Sequence, residues 1–211
     1  MSNEEKRGFV EIIRRLPWLY APMLKRLRPY VKNSKTLVDV GCGDGYLLSL
    51  IQKRFPRLNL TGIDADPFMV SKAKKLAFRV RKQRVEDFSG AADIIISNLA
   101  LHHFKYPKRM LKKLCGLVNK ALIIVDQIRP STIADLNKRL RKRNGIIGAK
   151  DVVYYKVSEE KSILEAYSKK EIVQMFNTLN KPYEIFFYDD DYYERYVAVF
   201  EKTTHSVNVL L

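Results

Sequence analysis

Three glycines, Gly41, Gly43 and Gly45, stand inside Val38-Asp-Val-Gly-Cys-Gly-Asp-Gly-Tyr46, between a short apolar run and a stretch with helical spacing. A glycine-rich turn placed there lets backbone approach a ligand closely and aims helix N-terminal amides outward. About twenty residues on, Asp64 ends a second apolar run, where a carboxylate can accept both hydroxyls of a ribose. Asp66, directly before Pro67, suits the role of helix cap instead. Val85-Glu86-Asp87-Phe88 follows a third run, and Asn98-Leu99-Ala100-Leu101-His102-His103-Phe104 follows a fourth. This is the equipment of a nucleoside-bearing cofactor site with an imidazole nearby, and His103 is the candidate general base. The dinucleotide pattern G-x-G-x-x-G is not met, because position 46 is Tyr, which disfavours a nicotinamide oxidoreductase. Adjacent histidine side chains diverge, and no cysteine or carboxylate cluster lies nearby in sequence to complete a ligand set, so no metal site is expected.

These residues need a frame. Apolar runs at Thr36 to Gly41, Leu58 to Asp64, Phe78 to Arg84, Ala92 to Ser97 and Ala121 to Asp126 alternate with helical stretches at Tyr46 to Phe55, Pro67 to Ala77 and Pro107 to Leu117. That cadence predicts right-handed βαβ units and a doubly wound α/β fold. Ahead of it, residues 4 to 32 read as helices broken at Leu16-Pro17. Beyond it, Ser131 to Arg143 predicts a basic helix capped at Asn144-Gly145, and Ile146 to Lys161 a loop with short irregular structure. Ser168 with Glu171 predicts a capping box opening a helix to Leu179. Tyr183 to Tyr188 and Tyr193 to Glu201 predict a hairpin across Asp189-Asp190-Asp191. The expected domains are a helical cap over 1–35, a single domain over 36–202 divided at 126 into cofactor and substrate halves, and a tail over 203–211.

The chain has 211 residues, 39 Lys plus Arg against 23 Asp plus Glu, and 46% hydrophobic residues, enough for a sizeable core. Residues 1–150 hold 32 basic and 12 acidic side chains, whereas 151–211 hold 7 and 11. The surplus clusters at Lys72 to Arg84, Lys105 to Lys120 and Lys138 to Lys150, consistent with solvated helix faces or with an anion- or nucleic-acid-binding surface. Two cysteines, Cys42 and Cys115, cannot form a disulfide framework, the N-terminus lacks an apolar signal core, and no run reaches the roughly 20 residues of a membrane span. A cytoplasmic protein is expected, its oligomeric state left open.

Taken together, the motif Asp39-x-Gly41-x-Gly43-x-Gly45, the acid Asp64, the segment at Glu86 and the Asn98 to Phe104 stretch resemble class I S-adenosylmethionine-dependent methyltransferases. Leu-His-His-Phe is similar to the subgroup that includes ubiquinone and menaquinone C-methyltransferases. The resemblance implies a mostly parallel seven-stranded sheet with an antiparallel C-terminal hairpin and N-terminal cap helices. It also implies S-adenosylmethionine as cofactor, leaving as S-adenosylhomocysteine. Asp39, Gly41, Cys42, Gly43 and Gly45 would hold its methionine part, Asp64 with Ala65 its ribose, and Met69, Val85 and Glu86 its adenine. Asn98 and Leu99 would line the path to the methyl group. Arg84 stands where many relatives carry an adenine-reading Asp, and Asn98 is not followed by the aromatic clamp used for exocyclic base amines. The expected acceptor is a small molecule, an anionic one among the candidates, attacked in line. RNA methylation on the basic surface is the alternative, and a non-catalytic basic nucleic-acid-binding protein the second. Trp18, Tyr20, Tyr154 and Tyr155 are candidate pocket aromatics.

Overall fold

Alternating strands and helices build one seven-stranded sheet in the order β3-β2-β1-β4-β5-β7-β6 in the computed structural model, which describes residues 3–76, 78–147, 160–190 and 194–202. The strands are β1 (Thr36–Val40), β2 (Asn59–Asp64), β3 (Arg79–Lys82), β4 (Ala92–Asn98), β5 (Val118–Gln127), β6 (Glu184–Asp189) and β7 (Glu194–Glu201). The first five run parallel. β7 inserts antiparallel between β5 and β6, so the last hairpin closes the sheet with its second strand innermost. The candidate tyrosines Tyr154 and Tyr155 and the tail lie outside the described residues.

Both faces of the central strands are apolar, as a sheet covered on two sides requires. Leu37, Ile94, Ile96, Ile123, Val125 and Val197 pack under α1 (Asn3–Arg14), α2 (Ala21–Val31) and α3 (Tyr46–Arg54). Val38, Ile95, Leu122, Ile124 and Tyr196 pack under α5 (Pro107–Leu117) and α7 (Lys169–Asn177). The N-terminal helical stretch breaks where Pro17 forbids continuation, leaving a 3₁₀ turn at Pro17–Tyr20. α4 (Pro67–Lys74) starts at Asp66, whose carboxylate accepts from the Phe68 and Met69 amides, with Pro67 at the first helical position. The capping box at Ser168 and Glu171 closes in both directions.

Several boundaries differ from the sequence reading; β5, for one, begins at Val118 and not at Ala121. β3 is only Arg79–Lys82, because only Arg79 to Lys82 register against β2. The basic helix, α6 (Ile133–Ile147), runs through Asn144-Gly145 instead of stopping there. Leu136 and Leu140 hold it on the core, and a side chain at Gly145 would meet nothing within 4 Å, so tertiary packing overrides the local stop signal. Residues 160–165, expected to continue the preceding loop at Glu160 and Lys161, form a helical segment.

Candidate active site

Parallel strands end at a common edge, and the chemistry-bearing residues collect there. The turn after β1 winds back through Gly41 (φ 79°), Gly43 (φ 54°) and Gly45 (φ 79°), a left-handed region that favours glycine. At Gly41 a side chain is excluded twice over, since a Cβ would lie 2.4 Å from that of Ala100. At Gly43 a Cβ would meet nothing within 4 Å, so its backbone stands bare toward open space. Cys42 is buried, and its sulfur lies 2.6 Å from where a Cβ on Gly62 would stand, which explains the glycine in the middle of β2. Burial pushes the Cys42 thiol far above its ordinary value, as suits a packing residue.

Two carboxylates bracket this turn. Asp64 at the end of β2 accepts from the Gly43 amide at 2.9 Å and the Asp66 amide at 2.8 Å, tying the two turns together; burial nonetheless raises its pKa. Asp39 is 1% exposed, and its Oδ1 has no hydrogen-bond partner among the described residues. Burial, then the charge of Asp64, pushes its carboxyl up to about 8.

A cleft of about 110 Å³ opens along the turn, lined by Asp39, Gly41, Cys42, Gly43, Met69, Asn98 and Leu99 from the sequence-predicted set, together with Asp44, Leu47, Tyr20 and two residues of α1, Val10 and Ile13. Of the candidate aromatics, Tyr20 thus joins the site, whereas Trp18 is 38% exposed. Asn98 Oδ1, buried, also lacks a partner among the described residues. Leu99 takes φ 54°, an uncommon left-handed position for a residue with a side chain, at the sharp turn leaving β4. Gly45, Asp64, Ala65, Val85 and Glu86 stand outside the lining. Gly45 is buried against Ala73 of α4, Ala65 is exposed, and Val85 belongs to the core under α5. Glu86 pairs with Arg84 at 3.4 Å, and its carbonyl accepts from Lys113. α1 is strapped to both turns: Lys6 reaches Asp66 and Arg14 reaches Asp44, each at 2.6 Å.

At the ends of β4 and β5 lies a second polar cluster that spacing did not reveal. His102 Nδ1 stands 2.7 Å from Asp126 Oδ1, and His102 Nε2 stands 2.9 Å from Ser162 Oγ on the helical segment 160–165. Gln127 Nε2 donates to the Ser162 carbonyl and lies 3.0 Å from Ser162 Oγ. The predicted base, His103, is more open, its side chain 54% exposed; its ring lies tilted against that of His102, centroids 3.9 Å apart, and faces Glu165 at 3.6 Å. Burial first, then His102, lowers the His103 pKa. Arg195 was also missed: fully buried at the start of β7, it donates to the Leu19 carbonyl at 3.0 Å and pairs with Asp190 at 3.1 Å. Groups of three or more metal-ligating side chains are absent among the described residues. No described helix is long and apolar enough to cross a membrane.

Comparison with known proteins gives this architecture a family. The model of a family described as a methyltransferase domain matches residues 12–180. Trans-aconitate 2-methyltransferase of Methylobacterium radiotolerans is 28% identical over 145 residues, 67% of this chain and 50% of that protein. Malonyl-[acyl-carrier protein] O-methyltransferase of Anoxybacillus flavithermus is 30% identical over 104 residues, 46% of this chain and 39% of that one. The chain thus spans half or less of the length of these relatives. Among solved structures, the plantazolicin methyltransferase BpumL, bound to S-adenosylhomocysteine and a pentazolic desmethylPZN analog, superposes with a TM-score of 0.65 at 17% identity, covering 94% of this chain and 86% of that one. Magnesium protoporphyrin IX methyltransferase from Synechocystis PCC 6803, with bound S-adenosylhomocysteine, gives 0.58 at 16% identity, covering 95% and 84%. At such identities these two support the fold alone. The family match spans most of the chain, from α1 to just past α7, and takes in both polar clusters; the chain belongs to the class I methyltransferase-domain family.

Proposed function

We propose that this protein transfers the methyl group of S-adenosylmethionine to a small molecule carrying an anionic group. The observation that carries the reading is the glycine turn with Asp39 beside it, a buried carboxyl with an unpartnered oxygen on the wall of a cleft. A cationic ammonium is the ligand that such a group accommodates best, since an uncompensated buried carboxylate is costly. The cofactor supplies a methyl carbon made electrophilic by its sulfonium. The bare backbone at Gly41 to Gly43 packs along its methionine part. Asp64, with lone pairs left after binding two amides, takes the ribose hydroxyls with Ala65 alongside. Met69, the backbone of Val85 and Glu86 form the adenine rim, and Gly45 sets the angle at which α3 leaves the turn. Asn98 and Leu99 wall the approach to the methyl. Orientation and exclusion of water are the main contributions asked of the chain.

The anionic acceptor rests on two supports. Both relatives named above act, by name, on carboxylate-bearing molecules, and α6 presents Lys138 and Arg141 to solvent while its Arg139 is tied to the Ile128 carbonyl just beyond β5. A thermal-shift titration with S-adenosylhomocysteine tests the cofactor assignment. Stabilisation by the nucleoside and none by NAD is expected, and the reverse overturns it. Asp64→Ala is expected to raise the dissociation constant at least tenfold. Transfer of labelled methyl into fractionated metabolite extract, followed by the charge of the labelled product, tests the acceptor; a neutral or cationic product removes the anionic part.

A further inference from the structure

The cluster around His102 is not needed to bind a nucleoside, yet its hydrogens can be assigned one by one. Gln127 Nε2 donates to a backbone carbonyl, Ser162 O, at 3.0 Å, which fixes which end of its amide is nitrogen. That same amino group faces Ser162 Oγ at 3.0 Å and His102 Nε2 at 3.3 Å. That amino group has two hydrogens: the first goes to the Ser162 carbonyl and the second to Ser162 Oγ, which leaves the Oγ hydrogen for the remaining neighbour, the lone pair of His102 Nε2. The ring proton then sits on Nδ1 and points to Asp126 Oδ1 at 2.7 Å. Asp126 is 1% exposed and also accepts from the His102 amide at 3.1 Å and the Gln127 amide at 2.8 Å, so its carboxylate stays fixed and able to stabilise an imidazolium. Ser162 Oγ–H is left to donate to Nε2 at 2.9 Å, while Ser162 itself is only partly buried. By contrast His103, the base expected from sequence, has its carboxylate neighbour Glu165 at 3.6 Å, too far to fix its tautomer.

We propose that Ser162, His102 and Asp126 form a proton relay that accepts the proton of the methyl acceptor, and that the acceptor atom is therefore a hydroxyl or amine and not a carboxylate. The inference rests on the methyltransferase reading and deepens it. The Asp126 end of the relay is tied to the cleft wall, since Leu99 lines the cleft, its amide is bonded to the Val125 carbonyl and Asp126 is the next residue; Ser162, partly exposed, forms the other end. As the acceptor's lone pair forms the bond to the methyl carbon, the carbon–sulfur pair leaves with sulfur. The acceptor's proton passes to Ser162 Oγ while the Ser162 proton passes to His102 Nε2. The resulting imidazolium stays paired with Asp126 and later returns its proton to water. Ser162 is the catalytic residue; His102 and Asp126 act through it. The acceptor keeps its anionic group, but that group is for recognition.

Two measurements on the full chain test this. Nitrogen-15 spectra of the histidine-labelled protein at pH 8, assigned with His103→Gln and His205→Gln, should show His102 protonated at Nδ1 and bare at Nε2. Ser162→Ala should move only the Nε2 signal. A proton on Nε2 overturns the relay without reference to any acceptor. In the second, labelled S-adenosylmethionine is offered with trans-aconitate as carboxylate probe and with a catechol and a short peptide amine as protic probes. Label in a protic probe or in a hydroxyl or amine of the extract is expected, with kcat lowered at least tenfold in Ser162→Ala, KM unchanged and activity recovered in Ser162→Thr. Label in trans-aconitate, or an unchanged kcat in Ser162→Ala, overturns the proposal. If S-adenosylhomocysteine fails to stabilise the wild-type protein, the methyltransferase reading fails, and the spectra still decide the relay.

Discussion

Asp39 and Asp126 are equally buried, each 1% exposed, and each sits at or near the end of a parallel strand, yet their surroundings are opposite. Asp39 on β1 keeps an oxygen with no hydrogen bond among the described residues, and burial raises its carboxyl to about 8. Asp126 on β5 accepts from two backbone amides and one imidazole. A group held short of partners has a reason to bind something, whereas a fully bonded group organises what is already there. On the proposed reading the β1–β2 end of the edge receives the ligand, while the β4–β5 end holds a side-chain constellation in one geometry.

The largest effect should come from the glycine turn. Gly41→Ala combines a left-handed backbone with a Cβ placed 2.4 Å from Ala100, and a loss of about 3 kcal/mol in urea unfolding is expected. Gly43→Ala shares the backbone strain without the clash and should cost about 1 kcal/mol. Equal losses would show that the glycine turn does not press on the turn leaving β4. The two aspartates come next. Asp126→Ala leaves the His102 ring and two amides without an acceptor in a dry site, for a loss of about 2 kcal/mol. Asp39→Asn should stabilise the ligand-free protein while weakening S-adenosylhomocysteine, by calorimetry, about tenfold. If Asp39→Asn destabilises as much as Asp126→Ala, the distinction between the two carboxylates collapses.

The same contrast has a pH form. The Asp39 carboxyl titrates near 4 when unfolded and is raised to about 8 when folded, so the folded state holds this proton more tightly. Its contribution to stability is complete below about pH 4 and declines as pH rises through 8. Unfolding free energies at pH 5, 6.5 and 8 should fall in the wild type and fall less in Asp39→Asn. Parallel curves would mean that the carboxyl is already ionised in the fold.

How much of each end could be read in the sequence follows from the same difference. The β1–β2 end is local: glycines two apart, an acid at the end of the next strand, a cap before Pro67, all set by spacing. The Ser168–Glu171 capping box was readable for the same reason. The β4–β5 end joins residues 102, 126, 127 and 162, brought together only by the sheet and by the return of the segment 160–165. No periodicity encodes that. Arg195 carried a misleading signal, since a charged residue in a C-terminal strand suggests solvent, yet it is enclosed beneath the 3₁₀ turn through its bond to Leu19.

The smallest expected effect on stability bears on how the receiving end closes. Lys6 and Arg14 bind Asp66 and Asp44 from opposite ends of α1, and Val10 and Ile13 between them wall the cleft. Ion pairs with this much solvent contact contribute about 0.5 kcal/mol each, so Lys6→Ala with Arg14→Ala should lower stability by no more than about 1 kcal/mol. Their geometry matters more than their energy, because one anchor sits on the cap of α4 and the other inside the glycine turn. A helix tied at both ends along a cleft of about 110 Å³ is placed to hold a ligand of nucleoside size there and to slow its departure. Stopped-flow dissociation of S-adenosylhomocysteine should therefore be several-fold faster in the double variant. A rate equal to that of the wild type would show that α1 merely lies along the receiving end and does not close it.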